Sequence, residues 1–222
     1  MSGVGDAIAY HETLAAGWTG RYASGGMRRR AEFFRASVLP RLQVGGDWLD
    51  VGCGSGVFTR MLAEAGARAL GLDGSPAMVE AARSAGQGAR FEVGRVEDVG
   101  ALDQSFDGAI CLSVIEYLAD PRAALTTIAG RLKPGGRLAI SAPNRASTLR
   151  AAQRVARRFG AGRGLAYLDS SRHLWTKTEL AELARAAGLE VETILGFDPL
   201  TPRPLWPLIS PSLWFLVARR PG

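Results

Sequence analysis

Lysine is almost absent from this chain: of its 27 basic residues, all but Lys133 and Lys177 are arginine. So broad a bias, in a sequence also rich in alanine and glycine, is what a GC-rich genome produces. The formal net charge of +6 is therefore weak evidence for a polyanionic partner, and only clustered arginines would carry that argument. Cysteine is scarce too. Cys53 and Cys111 lie inside apolar runs and form neither a CxxC pair nor a zinc-like spacing. That excludes a disulfide scaffold and reads as two small buried residues in a reducing compartment. No apolar run approaches the roughly 20 residues that cross a bilayer. No basic segment followed by an apolar core opens the chain, so no signal peptide is expected. The expectation is a cytoplasmic protein.

What is present is an alternation. Apolar runs at Trp48–Val51, Ala67–Leu72, Arg90–Val93, Phe106–Leu112 and Arg137–Ala142 read as strands. Amphipathic stretches at Val57–Ala65, Pro76–Ala85 and Pro121–Arg131 read as helices between them, with Pro121 suited to a first helical turn. That βαβα order predicts a parallel sheet covered by helices on both faces. LKPGGRL (132–138) supplies a helix stop and a turn before the fifth strand. The last third changes rhythm: a helix at Thr176–Ala187 is stopped by Gly188, and strands follow at Leu189–Leu195 and Leu213–Ala218. Five prolines between 199 and 211 stiffen the connection between those two strands, which favours an antiparallel closing hairpin. The 222 residues suit a single domain from residue 46 onward, preceded by a helical segment over about 1–45.

The chemistry-bearing stretch is LDVGCGSGVFTRMLAEAGARALGLDGSP (49–76). An apolar strand runs into a glycine-rich turn, Gly52 to Gly56, and a helix follows at once. Glycines there let the backbone turn sharply and approach a ligand that a Cβ would repel. Asp73 ends the next strand, one strand–helix–strand crossover later, where an acidic residue can accept both hydroxyls of a ribose. GxGxG alone also fits dinucleotide-binding enzymes. Here, however, Asp50 and Glu64 flank the turn and no lysine or arginine inside it would pair a phosphate, which suits a cationic ligand instead.

The segments LDVGCGSG, GLDGSPAMVEAAR, FEVGRVEDV, FDGAICLSVIEYLADP and LKPGGRLAISAPNR, in this order and spacing, resemble the class I S-adenosylmethionine-dependent methyltransferases. The resemblance implies an α/β, Rossmann-like, seven-stranded and mostly parallel sheet with helices on both faces and an antiparallel last strand. It implies S-adenosylmethionine as cofactor, with Gly52, Gly54 and Gly56 against its methionine part and Asp50 near the ammonium group. Asp73 would hold the ribose, while Gly74, Ser75, Met78, Val96, Glu97 and Leu112 would border the adenine or the cofactor more generally. Many relatives carry an aspartate where Arg95 stands, and arginine cannot accept from the adenine amine. The layout of NRASTLRAAQRVARR and SRHLWTKTELAELARAAGLEVETILGFDPLTP, with Trp18 and the arginines of residues 28–30, is similar to the ubiquinone-biosynthesis O-methyltransferases. That subgroup pairs one such arginine with the cofactor carboxylate, and Arg30 is the choice among Arg28, Arg29 and Arg30. Its E-x-x-E-H pattern reads Ser113-Val114-Ile115-Glu116-Tyr117 here. One carboxylate survives and the histidine is tyrosine, so no metal site is expected.

Methyl transfer to oxygen needs the nucleophile positioned and its proton removed. His173 and Glu116 are the candidate catalytic residues. His173 reads equally as a base near neutral pH or as a loop tether, and Glu116 as a group orienting a substrate hydroxyl or capping a turn. His11 could line the pocket. The function expected is methyl transfer to a small molecule, at a hydroxyl oxygen of an aromatic or lipophilic acceptor, as Trp175, Trp206, Trp214 and LTPRPLWPLIS (200–210) suggest. The alternatives are N-methylation of a small molecule, methylation of RNA, and a non-catalytic scaffold.

The RNA alternative rests on residues 144–164, which hold Arg145, Arg150, Arg154, Arg157, Arg158 and Arg163. Leu149, Ala152, Val155, Ala156 and Phe159 lie among them at helical spacing. No interleaved aromatics for base stacking accompany these arginines and no NPPY-like tetrad follows the fourth strand, so nucleic acid is disfavoured. The segment, at about 145–175, instead reads as a basic helical lid over the acceptor pocket. It is either solvated or in peripheral contact with anionic lipid headgroups.

Overall fold

The computed structural model describes residue 12 and residues 17–86, 88–158, 171–201 and 209–222. Expectations for His11, Phe159, Arg163 and Trp206, and for the side chains of Ala152, Arg154, Ala156, Arg157 and Arg158, lie outside the described residues. Seven strands form one sheet: β1 (Asp47–Val51), β2 (Arg68–Asp73), β3 (Arg90–Val93), β4 (Phe106–Leu112), β5 (Leu132–Pro143), β6 (Glu190–Phe197) and β7 (Leu213–Arg219), in the order β3-β2-β1-β4-β5-β7-β6. The pairs among β1 to β5 are parallel, and β7 runs antiparallel to both β5 and β6. The strand order reverses between β1 and β4. Their carboxyl ends therefore flank the crevice in which open α/β sheets bind ligands.

Side chains alternate across the sheet with period two, and this splits the core into two layers. Leu49, Val51, Leu70, Leu72, Ile140 and Leu216 pack with Leu125 and Ile128 of α5 (Pro121–Gly130) and Leu180 of α7 (Lys177–Ala186). On the other face Trp48, Ile110, Phe215 and Val217 pack with Phe33 and Phe34, Val38, and Phe58 and Leu62. These belong to α1 (Gly25–Phe33), a π-helical stretch (Phe34–Val38), and α3 (Val57–Glu64). The π stretch precedes α2 (Leu39–Leu42), where Pro40 has no N–H to continue the ladder and the preceding turn widens. Asp50 falls on the same face as Trp48, which aims its carboxylate at α3 rather than at solvent.

The remaining helices start where local chemistry says they should. Ser75 caps α4 (Pro76–Ser84) by accepting from Met78 N, Asp120 caps α5 by accepting from Ala123 N, and Thr176 with Glu179 forms a reciprocal capping box on α7. α6 (Thr148–Arg158) follows Ser147, whose Oγ accepts from Arg150 N at 3.1 Å.

The expected turn at LKPGGRL is corrected. The stretch stays in β5, because Leu132 pairs Phe106, Gly135 N donates to Arg220 O at 3.0 Å, and Arg220 N donates to Gly136 O at 2.8 Å. The turn-forming glycines are absorbed as an irregularity in register between Phe106 and Gly108.

β1 and β4 approach closely at Gly108, which pairs Trp48. A Cβ there would lie 2.3 Å from the Trp48 ring. The ring cannot retreat, since it is 1% exposed and its Nε1 donates to Gly45 O at 2.8 Å. Gly108→Ala is expected to lower stability by about 1–3 kcal/mol through overpacking. Urea unfolding followed by tryptophan fluorescence measures it.

Candidate active site

The turn after β1 is tied down by its own backbone. Gly52 N and Cys53 N both donate to Leu72 O, at 2.8 and 2.9 Å, and Gly54 N donates to Asp73 Oδ2 at 2.7 Å. Asp73 Oδ1 accepts from Ser75 N at 2.9 Å. The ends of β1 and β2 are thereby clamped side by side. Gly52 has φ +74, and a Cβ on it would fall 2.2 Å from Val114 Cγ2. No other residue fits that position without moving the segment after β4.

Above this turn lies a cavity of about 510 Å³, a size in the range of small-molecule sites. It gathers Arg30, Asp50, Gly52, Gly54, Asp73, Gly74, Met78, Val96, Glu97, Leu112 and Glu116 into one lining. Three expected residues stand outside it among the described lining. Gly56 is turned behind the loop, where a Cβ would meet the Phe91 ring at 2.5 Å. Ser75 is fully buried as the cap of α4. His173 is tied to the segment after β4 and is not among the lining residues. Its Nε2 donates to Leu118 O at 3.0 Å, its N donates to Glu116 O, and its ring stacks on Trp175. The geometry of His173 is that of the tether.

Arg30 separates itself from its neighbours. Arg28 pairs with Glu32 and Arg29 donates to Pro199 O, both outward. Arg30 lines the cavity, donates through Nη2 to Ser141 Oγ at 3.0 Å, and packs over Phe58 and Phe215. Its buried Nε has no hydrogen-bond partner.

Sequence reasoning missed several lining residues. Tyr22, Phe58, Ser113, Arg150, Gln153, Ser171 and Ser212 all reach the cavity. Ser113 takes φ +58, an uncommon conformation for a residue with a side chain. It sits near Ser141 Oγ and hydrogen-bonds Glu116. An arginine-rich stretch gave no signal that, of its described arginines, Arg150 would turn inward. Arg145 is spent on structure, donating to Leu174 O and pairing Glu179 at 2.7 Å. Among the described residues no cluster of His, Cys, Asp and Glu could hold a metal ion, and no helix is long and apolar enough to cross a membrane.

Two carboxylates in this cavity are deeply buried. Asp50 is 2% exposed and accepts from Thr59 Oγ1 at 2.6 Å. Burial pushes its carboxyl up to about 7, with Asp73 adding to the rise and Thr59 and Arg30 opposing it. Glu116 is 3% exposed and its Oε2 has no partner. Burial raises it to about 7 as well, against the pull of its own backbone N–H, Arg30, Arg150 and Ser113. Burial also raises the Tyr22, Tyr117 and Cys53 groups, which stay uncharged at neutral pH. An acid, a guanidinium with a free N–H and a second acid line one space, and that donor set fits a zwitterionic, cationic ligand together with a proton-yielding one.

Residues 22–194 match the family described as "Methyltransferase domain". The ubiquinone biosynthesis O-methyltransferase of Xanthomonas axonopodis pv. citri is 34% identical over 177 residues, 75% of this chain and 71% of that protein. The methyltransferase solved in complex with the Haloferax volcanii Trm112 methyltransferase activator superposes with TM-score 0.70 at 25% identity. That match covers 96% of this chain and 98% of the other. Magnesium protoporphyrin IX methyltransferase from Synechocystis PCC 6803, solved with bound SAH, gives TM-score 0.68 at 20% identity over 94% of both chains, a likeness of fold.

Without a ligand the buried acids weigh on the fold in a definite direction. A raised folded-state value means that the folded chain keeps its protons to higher pH than the unfolded chain does. Stability from these groups therefore falls as pH climbs from about 4, the ordinary carboxylate range, through about 7. Asp50→Asn keeps an acceptor for Thr59 and removes the charge. The ligand-free variant should gain about 1–4 kcal/mol over wild type at pH 8 and little at pH 4. Thermal melts at the two pH values check the sign.

Proposed function

We propose that this chain, which belongs to the methyltransferase domain family and is an S-adenosylmethionine-dependent methyltransferase, transfers methyl to a hydroxyl oxygen of a small aromatic or lipophilic acceptor. The observation that carries the reading is the unpartnered Oε2 of Glu116, buried in the wall of the cavity that begins at the glycine turn. A buried carboxylate with a vacant acceptor position suits an incoming O–H. The names of the relatives, O-methyltransferases of ubiquinone biosynthesis, point to the same chemistry.

The residues present fit the cofactor. The unpartnered Arg30 Nε would meet its carboxylate, and Asp50 its ammonium group. The Asp73 carboxylate keeps lone pairs beyond those given to Gly54 and Ser75 for the ribose hydroxyls. Met78, Val96 and Leu112 offer apolar surface to the adenine, with Gly74 and Glu97 beside them. Gly52 and Gly54 leave room for the methionine part. Bound S-adenosylmethionine supplies a methyl group on a sulfonium sulfur that departs as a neutral thioether. Glu116 takes the proton of the acceptor hydroxyl at its free Oε2, while Ser113 holds the carboxylate in place. Tyr117, uncharged, and the apolar side chains of Leu118 and Leu149 shield that proton transfer from water. His173 is left out of the chemistry.

Glu116 accepts a proton only when ionised, so transfer should rise with pH through about 7 and then level off. Calorimetry should show S-adenosylmethionine binding to wild type and, nearly unchanged, to Glu116→Gln. Label transfer by the variant should fall about 10²–10⁴-fold and lose its pH-dependent rise in kcat. Absence of cofactor binding by wild type would sink the enzyme reading. Undiminished transfer by the variant would sink the role of Glu116.

A further inference from the structure

Arg150 is the one described arginine of the lid segment that faces the cavity, and what it faces is the acceptor side. Its Nε donates to Ser212 O at 3.1 Å, at the start of β7, and its own N is fixed by the Ser147 cap. With Nε committed, the two terminal nitrogens of the planar guanidinium have no protein partner among the described residues. Gln153, one helical turn on, and Ser171 border the same space. Glu116 lies within the electrostatic reach of Arg150, and so does Tyr117, yet no ion pair joins Arg150 to Glu116. A buried carboxylate oxygen without a partner and a guanidinium fork without a partner thus face one cavity without meeting. Two such groups left apart fit a ligand that bridges them, with a hydroxyl for the carboxylate and an anion for the fork.

We infer that Arg150 reads an anionic group on the acceptor, and that the acceptor is a hydroxylated carboxylic acid. This rests on the reading of Glu116 as the group that meets the acceptor hydroxyl. A carboxylate matches the planar fork with two parallel hydrogen bonds. A dianionic phosphate matches the site less well. Of the described arginines that line the cavity, only Arg150 comes from the segment after β5, and Glu116, itself an acid, shares the space. Arg30 also acts on Glu116 electrostatically, but its Nη2 is committed to Ser141 Oγ and it acts on Asp50 as well. Arg150, with its terminal nitrogens uncommitted among the described residues, is the arginine left for the acceptor anion.

The test uses two probes that differ only in charge, 3,4-dihydroxybenzoate and 3,4-dihydroxybenzamide, titrated calorimetrically into the full chain saturated with S-adenosylhomocysteine. Wild type should prefer the benzoate by about tenfold or more, since the amide leaves the fork half paired. Arg150→Met should bring the two probes to near equality while its affinity for S-adenosylhomocysteine stays as in wild type. Arg150→Lys should keep part of the preference. Equal binding of the two probes by wild type, binding of neither, or a preference that survives in Arg150→Met would each overturn the proposal. So would loss of S-adenosylhomocysteine affinity in Arg150→Met, which would assign the arginine to the cofactor. The base reading fails separately, through Glu116→Gln that transfers label as well as wild type.

Discussion

Two backbone N–H groups converge on the Asp73 carboxylate, one from the turn after β1 and one from the cap of α4. Two more, from Gly52 and Cys53, converge on the carbonyl just before it. Hydrogen bonds to an ionised acceptor contribute about 1.5–3 kcal/mol each, and here they fix three chain segments against one another. Because β1 and β2 are parallel neighbours, their carboxyl ends would otherwise diverge into independent loops. The clamp makes one rigid floor of them, and the cavity stands on that floor. Val114 then packs into the space left by the missing Gly52 side chain, so the segment carrying Ser113, Glu116 and Tyr117 takes its height from the same turn.

The floor has an electrostatic consequence. Side-chain alternation in β1 sends Asp50 into the layer that holds Trp48 and Phe58, where water cannot solvate it. Among the described residues Thr59, in the first turn of α3, is the one side chain that hydrogen-bonds it, and Arg30 acts at longer range. Glu116 is in the same condition in the wall of the same cavity. Each acid alone is costly to bury, and each is adjacent to the place proposed for a group that would relieve it: an ammonium for Asp50, a hydroxyl proton for Glu116. A site whose free state is under this tension gains differential affinity for cations and proton donors without any change of shape.

Much of this was legible in the sequence because it is periodic or local. Strands β3 and β4 begin and end where the alternation predicts, and the others differ by a few residues at their ends, apart from the longer start of β5. The glycine turn, Asp50 and Asp73 declare themselves by spacing. What escaped depends on tertiary direction. Gly56 looks like Gly52 and Gly54 in the sequence, yet packing against Phe91 turns it away from the cavity. His173 has the right chemistry for a base, but the carbonyls of Glu116 and Leu118 lie close enough to capture its backbone and ring. LKPGGRL contains every turn signal, and the pairing of its neighbours with β4 and the chain end outweighs them. Ser113 had no signal, and Arg150 none that set it apart from its neighbouring arginines, since a strained backbone angle and an inward rotation are products of packing.

The segment that follows β5 shows how the less regular third of the chain is nevertheless held in register. Asn144, 1% exposed, ends β5 and uses every polar group it has. Its N donates to Ser212 O, its Nδ2 donates to Ser210 Oγ and Pro211 O, and its Oδ1 accepts from Ala146 N. Arg145 N then donates to Trp175 O, whose N returns to Pro143 O. The entry to α6, the stretch at Trp175 and the start of β7 are therefore one hydrogen-bonded joint, and Arg150 adds a second bond to the same Ser212 carbonyl. Because β7 is antiparallel, its beginning rather than its end lies at the carboxyl edge of the sheet, which is why Ser212 and Leu213 are available there at all. The reversed strand thus joins the side of the cavity proposed for the acceptor to the segment after β5, while the parallel strands β1 and β2 build the side proposed for the cofactor. Acceptor preference can then diverge through residues 144–213 with the glycine turn and Asp73 left untouched.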